Sequence, residues 1–467
     1  HESGPFMIHS KVYNWMRDAL IKFYGVNRCG DADSWFHKNC HLKDGPGGDG
    51  TLAGGWHDCG DHIKESQTMS YTMAILALAA SALKEHDTDK YARNHSKTHF
   101  TDGIPDILCE LRHGVEFVMN SYKQAKGIVG NMYTSVGDFG SDHMWWGIPE
   151  AQDNMPEAQG GPVRKLRYEV WSSVMGRFAA GMAIFSKLYF NYDSTYAKQA
   201  LKIAEQLYDY GKENQTIGSS SAYNGENSFH DDLGLAAVAL FWATKDEMYK
   251  NDLLYDKTIG THGNPEFPKG TFDGGWFTFR NASPQHGMAN TDWASTHTLA
   301  LWSLYKLILS SKSTAELYGI DDNERLTLIE DVIYAIIVNI GDAGNGDESI
   351  VLPEHDLVWK NHTLKYDGLW KTMHTQQEWV WNRYQAGNIT DLFCYYDIAK
   401  ELDGLTLPNT KIQVDWKVDE VKRVFIQQLD YMLGLNPWDV SMIYGVGNKN
   451  FNHPHHRAAN PEGKNFP

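Results

Sequence analysis

The stretch A-G-G-W-H-D-C-G-D-H-I-K-E, residues 53–65, decides how the rest of this chain is read. A glycine pair and a tryptophan lead into Asp58 and Asp61, three residues apart. Directly after it, Met69, Met73, Leu76, Ala80 and Leu83 recur at steps of four and three, with small Ala and Ser between them. That period predicts a helix over 66–83 packed on more than one side. A turn that brings two carboxylates together just ahead of a helix can hold a water for attack. It can equally be a loop whose aspartates cap the helix, and the spacing alone leaves both readings open.

Working outward, helical periodicity recurs near 10–24, 104–122, 167–190, 195–211, 229–243, 291–310, 325–341, 376–401 with a break at Gly387, and 416–434. Strand signals are short and scattered. The connectors 25–61, 123–166, 255–290 and 342–375 are rich in Gly, Pro, Trp, Asp and His, and loops of that length in a compact domain are usually functional. About ten or eleven helices with alternating short and long loops predict an all-α fold of helical hairpins wound into a toroid. An α-solenoid would show a repeating period, and none is visible. No shift of composition marks a second domain, so the expectation is one domain over 1–467.

Asp and Glu number 59 against 42 Lys and Arg, a net charge of −17, and no basic run stands out. Nucleic acid and anionic membrane surfaces are therefore poor partners. No apolar run is long enough to span a bilayer, and the chain opens at His1 without a signal-peptide core, as a mature secreted protein would. The 16 Trp and 24 Tyr exceed what an aliphatic core requires, and many lie in Gly-rich loops. Flat apolar faces beside polar groups suit sugar rings, although any single one of them can equally pack at a half-buried surface.

The stretch 53–65 resembles the GGW-x-D-x-GD-H-x-K motif of the family 9 glycoside hydrolases, the inverting cellulases. Further blocks resemble the family in the same order: I-P-D-I-L-C-E at 104–110, V-G-D-F-G-S-D-H-M-W-W-G-I-P-E at 136–150, W-V-W-N-R-Y at 379–384, and D-Y-M-L-G-L-N-P followed by G-N-K-N-F-N-H-P-H-H-R up to Arg457. The resemblance implies an (α/α)6 barrel in which Asp61 is the general base and Asp58 helps to hold the water. It also implies sugar contacts from His143, Trp146, Trp379, Arg383, Tyr384, His455 and Arg457, with cellulose or cello-oligosaccharides as partners and binding modules appended outside this chain.

Cys29, Cys40, His41 and His57 form C-x10-C-H-x15-H, a set of soft and imidazole ligands suited to a closed tetrahedral zinc site. A Cys29–Cys40 disulfide is the competing reading in a secreted protein. Some family 9 enzymes carry a Cys, Cys-His, His zinc site in this position, so the resemblance favours zinc, with Cys59, Cys109 and Cys394 as free thiols. The segment S-F-H-D-D-L at 228–233 resembles the place where family members put an acidic pair on calcium. That would make Asp231 and Asp232 ligands, although adjacent acids at a helix start also serve as caps.

An inverting glycosidase needs a base on one face of the sugar and an acid on the other, about 6.5–9.5 Å apart. Asp61 suits the base, with the positive end of the following helix expected to keep its pKa low. Asp58 shares its turn and cannot be the acid. The resemblance places the acid on a Glu well downstream of P-H-H-R, and nothing in this sequence matches that segment. Glu462, in N-P-E-G, does not fit, so the expectation is a natural chain that continues with the acid and a last helix. The first functional expectation is an endo-β-1,4-glucanase. Two alternatives remain: a β-glucan-binding protein without chemistry, and a polysaccharide lyase, which the acidic composition disfavours.

Overall fold

The computed structural model describes residues 12–31, 34–82, 88–90, 101–218, 228–259, 274–278, 291–342, 381–402, 418–436 and 438–464, with the isolated positions 223, 226 and 272. The chain divides into two compact units, one of residues 1–69, 79–168 and 431–467 and one of 70–78 and 169–430. Both are built on helices, as the periodicity predicts.

The second unit is a stack of helices with small residues where backbones meet. Helix α6 (Ser172–Tyr189) is buried along almost its whole length, and α8 (His230–Thr244) is apolar on all sides from Leu233 to Phe241. A helix apolar all round belongs inside a core. Gly176 lets the two approach, since a Cβ there would lie 2.7 Å from the backbone of Asp232. Between them in sequence lies α7 (Ser194–Asn214), which buries the stripe of Ala197, Ala200, Ile203, Ala204, Leu207, Tyr208 and Gly211 and is capped by Asp193, which accepts from Tyr196 N at 3.0 Å. The short α9 (Glu247–Leu254), which has no clear signal in the sequence, follows directly. Helix α10 (His297–Leu304) runs into a π-turn at Tyr305–Leu309 and is followed by α11 (Lys312–Glu316) and α12 (Asp322–Asp342). It starts later than 291 because Asp292 and Ser295 pair in a tight turn first.

Helix α13 (Trp381–Leu402) is continuous, so the break expected at Gly387 does not occur. A glycine costs about 1 kcal/mol within a helix. Here its neighbours are anchored to α14 (Val418–Met432): Gln385 donates to the Gln428 carbonyl at 3.1 Å and Asn388 to the Gln428 side chain at 2.7 Å.

In the first unit, α1 (Val12–Val26), α3 (Asp106–Gln124) and part of α2 (Ser66–Ala82) carry long, polar, tightly bonded loops. A two-stranded ladder, β1 (Ser135–Val136) with β2 (Leu166–Arg167), is extended by Lys64, whose N–H and C=O both bond Val136 at 2.9 Å. The short helices α4 (Phe139–Asp142) and α5 (Pro149–Gln152) lie between the strands in sequence. Residues 27–30 run beside 54–57, with Cys29 N bonding Gly55 O and His57 N bonding Asn27 O, each at 2.8 Å. Only glycine fits at position 30, where φ is +88° and a Cβ would come 2.5 Å from Gly54 N. Arg28 ties this strip to α3 through Glu110 at 2.9 Å, and Trp56 donates to the same carboxylate at 2.7 Å.

Candidate active site

The turn of the opening stretch is closed by two short bonds: Asp58 N to Ile63 O at 2.7 Å, and Ile63 N to the Asp61 side chain at 3.0 Å. Both carboxylates are thereby half-buried on one side of the turn. A carboxylate oxygen from each and the Cys59 sulfur all lie within 4.8 Å of one another. Two acceptors at that separation can share one water with hydrogen bonds of about 2.7–2.8 Å. The Thr68 hydroxyl donates to Asp58 from the first turn of α2.

Burial, then the charges of Asp58 and Asp142, push the Asp61 carboxyl well above the ordinary range against the opposing charge of Arg457. This overturns the expectation of a low pKa. Helix α2 starts only at Ser66, and a helix end acts strongly only within its first turn. Desolvation and like charge therefore dominate.

The C-terminal cluster packs directly on this turn. Arg457 N donates to Gly60 O at 2.9 Å, and a Cβ at Gly60 would sit 2.0 Å from the His455 carbonyl oxygen, so a side chain there would expel the cluster. The Arg457 guanidinium bonds Asp142 at 2.7 Å, and His143 lies between Asp142 at 3.5 Å and Asp61 at 3.9 Å. Phe139 stacks on His143 with ring centres 3.8 Å apart. Trp146 stands 5.2 Å from the His455 ring and donates to Asn460 O at 2.8 Å. Burial lowers the pKa of His143 and of His455, with Arg457 adding to both, so each is a neutral imidazole that can both donate and accept. Glu462 is 70% exposed and paired with Lys464 at 2.8 Å, which lowers its pKa. A carboxyl so placed is a poor proton donor.

Cys29, Cys40, His41 and His57 converge as a buried cluster, with all four ligand atoms within 4.8 Å. Cys29 Sγ lies 3.7 Å from His41 Nδ1, Cys40 Sγ 3.7 Å from His57 Nε2, and the two imidazole nitrogens 3.4 Å apart. A tetrahedral ion with ordinary zinc bonds requires about 3.6 Å between sulfur and nitrogen and about 3.4 Å between nitrogens. Both cysteines are free, so the competing disulfide is not formed; Cys59, Cys109 and Cys394 are free as well. Burial drives the His57 pKa down to about 3, leaving a neutral imidazole with a lone pair to give.

In the second unit, Asp231 and Asp232 open α8. Arg177 from α6 reaches Asp232 at 3.2 Å and also pairs with Glu226, while Thr296 N bonds Asp231 at 2.7 Å and the Thr296 hydroxyl bonds Asp232 at 2.8 Å. Arg383, near the start of α13, lies 3.4 Å over the Trp293 ring and 3.5 Å from Asp292. Tyr384 follows it in the helix, where its backbone alone is described, and Trp379 lies outside the described residues.

The profile described as glycosyl hydrolase family 9 matches residues 13–465. The chain belongs to this family. Among family relatives, it is 25% identical to Endoglucanase 4 of Bacillus sp. (strain KSM-522), over 96% of this chain and 59% of that one. It is 22% identical to Endoglucanase 18 of Arabidopsis thaliana, over 90% of this chain and 72% of that one. Thus it spans little more than half the length of the Bacillus relative. Among solved structures, the cellulase Cel9M of C. cellulolyticum in complex with cellobiose matches with a TM-score of 0.61 at 23% identity, over 97% of this chain and 84% of that one. Endoglucanase CelQ of Clostridium thermocellum complexed with cellotriose matches at 0.59 and 19%, over 95% and 60%. Likeness at these identities establishes the fold, the all-α (α/α)6 barrel.

Three residues of the site escape a reading of the sequence. Asp142 precedes His143 in the D-H pair and could have been found there. Gln152 carries no such signal, because its role depends on partners up to 111 residues away, and Gly60, though part of the quoted motif, shows its purpose only against the backbone near 455.

Proposed function

We propose that this protein hydrolyses β-1,4-glucosidic bonds of cellulose or a related β-glucan with inversion at the anomeric carbon. The observation that carries the reading is the pairing of Asp58 and Asp61 within 4.8 Å on one turn, with Arg457 and His143 packed against it. In this reading a water held by both carboxylates attacks the anomeric carbon. Its proton passes to Asp61 as the glycosidic bond breaks. The leaving oxygen takes a proton from a separate acid on the opposite face, a role Glu462 cannot fill. His143, Trp146, His455 and Arg457 line the water side and offer donors and aromatic faces to sugar hydroxyls and rings. Through the resemblance, Trp379, Arg383 and Tyr384 are sugar contacts as well. Secretion suits such a polymeric substrate.

The donor set of Cys29, Cys40, His41 and His57 fits a structural zinc ion, which would cross-link the loop after α1 to the residue preceding Asp58. Asp231 and Asp232 do not fit a calcium cage, because the Arg177 guanidinium already holds the cationic position between Asp232 and Glu226. Reducing-sugar release from carboxymethylcellulose by the full-length protein, beside its zinc content by elemental mass spectrometry, tests both readings. Activity with about one zinc per chain is expected. Tight binding of cello-oligosaccharides without any release would instead make it a non-catalytic β-glucan-binding protein.

A further inference from the structure

Gln152, fully buried at the end of α5, touches both polar clusters of the first unit. Its side-chain nitrogen lies 3.2 Å from Asp142 Oδ1 and 3.1 Å from Gln159 O, both acceptors, so this end of the amide donates. The oxygen end must then accept. It does so from His62 Nδ1 at 2.7 Å and from His41 Nε2 at 3.1 Å. With its proton on Nε2, His41 keeps a lone pair on Nδ1, the nitrogen that faces Cys29 and His57. The backbone of His41 is held as well, its main-chain N–H donating to Asp153 at 2.8 Å. Space for the amide is left by Gly160, where a Cβ would lie 2.5 Å from the Gln152 nitrogen. Asp142, oriented on one side by this amide, spends its other oxygen on Arg457 at 2.7 Å and His143 at 3.5 Å, the two groups set against the Asp61 turn.

We propose that Gln152 is a positioning residue that couples the Cys29, Cys40, His41 and His57 metal site to the placement of Arg457 and His143 beside Asp61. The inference rests on the zinc and hydrolase readings above. Its physical content is the fixed sense of one amide: the carboxylate of Asp142, together with Gln159 O, dictates which end faces His41, and that end dictates the tautomer with which His41 would meet a metal. Partners of this kind behind a metal ligand typically change metal affinity or activity by about 10–100-fold when lost.

The test is a double-mutant cycle on the full-length protein with Gln152→Met and Asp142→Asn, read by zinc competition against a chromophoric chelator and by kcat on a soluble cello-oligosaccharide. Gln152→Met, close to isosteric but unable to bond, should weaken zinc about tenfold or more and lower kcat as well. Asp142→Asn touches none of the four ligands, yet should also weaken zinc, because it removes the carboxylate and leaves Gln159 O as the one acceptor holding the sense of Gln152. In the Gln152→Met background it should weaken zinc no further. If Asp142→Asn leaves zinc affinity within twofold of wild type, or if the two effects simply add, the inference is overturned while the zinc and hydrolase readings stand. A wild-type protein that takes up no zinc overturns the inference together with the zinc reading. Should Gln152→Met fail to fold, the zinc affinity of Asp142→Asn alone still decides.

Discussion

Two pairs of aspartates, Asp58 with Asp61 and Asp231 with Asp232, stand out in the sequence, and the structure treats them in opposite ways. Asp231 and Asp232 are fully buried at the head of α8, and a guanidinium closes on them: Arg177 binds Asp232 and Glu226, and Thr296 takes up further lone pairs. Asp58 and Asp61 are only half-buried and keep access to solvent. Arg457, whose charge favours the ionised form of Asp61, is itself held by Asp142 at 2.7 Å. The same residue type thus serves cohesion where a buried cation neutralises it and, in the proposed reading, reactivity where Arg457 is held by a neighbouring carboxylate.

Replacing one residue of each pair's surroundings should separate these roles. Asp61→Asn should lower hydrolysis by about 10²–10⁴-fold, the usual worth of a general base. The urea midpoint should stay close to that of wild type, since the amide still accepts from Ile63. Arg177→Met should do the reverse. Breaking a buried ion pair by removing one partner costs about 3–5 kcal/mol, because the remaining carboxylates are left uncompensated. Urea unfolding should show that loss, and the specific activity of the fraction still folded should change little. Equal effects of both variants on stability would dissolve the comparison.

A smaller effect concerns pH. The base acts only when ionised, so kcat/KM should fall as pH drops through the raised pKa of Asp61, with its acid limb above the ordinary aspartate value of about 3.9. Arg457 favours the ionised form, so Arg457→Gln should move that limb to still higher pH. A limb at or below the ordinary value would show that Asp61 is not the titrating base. The smallest expected effect is that of Glu462→Gln: an exposed carboxylate paired with Lys464 contributes no proton to the leaving group, and the rate should stay within about twofold.

The helices were legible because their apolar residues recur at the helical period, and even α2, which supplies residues to both units, reads directly from Met69 to Ala80. So were the residues of the turn and the buried cluster of Cys29, Cys40, His41 and His57, whose side chains offer chemistry few other residues can offer. What stayed hidden depends on distance along the chain. Nothing near Asp232 announces Arg177, 55 residues away, as its partner, and the amide that links His41 to Asp142 is an ordinary glutamine by sequence. The raised pKa of Asp61 was misread for the same reason: a local rule about helix ends gave way to burial and to Asp142, which only the folded chain brings near.

The most direct measurement is the configuration of the first product. Proton NMR of a short digest of a β-1,4-linked cello-oligosaccharide resolves the anomers of the new reducing end before they equilibrate. If Asp61 and Asp58 deliver water from the face opposite the leaving group, the α-anomer should form first. Initial formation of the β-anomer would mean that one of these carboxylates bonds to the sugar rather than to water, and would contradict the account.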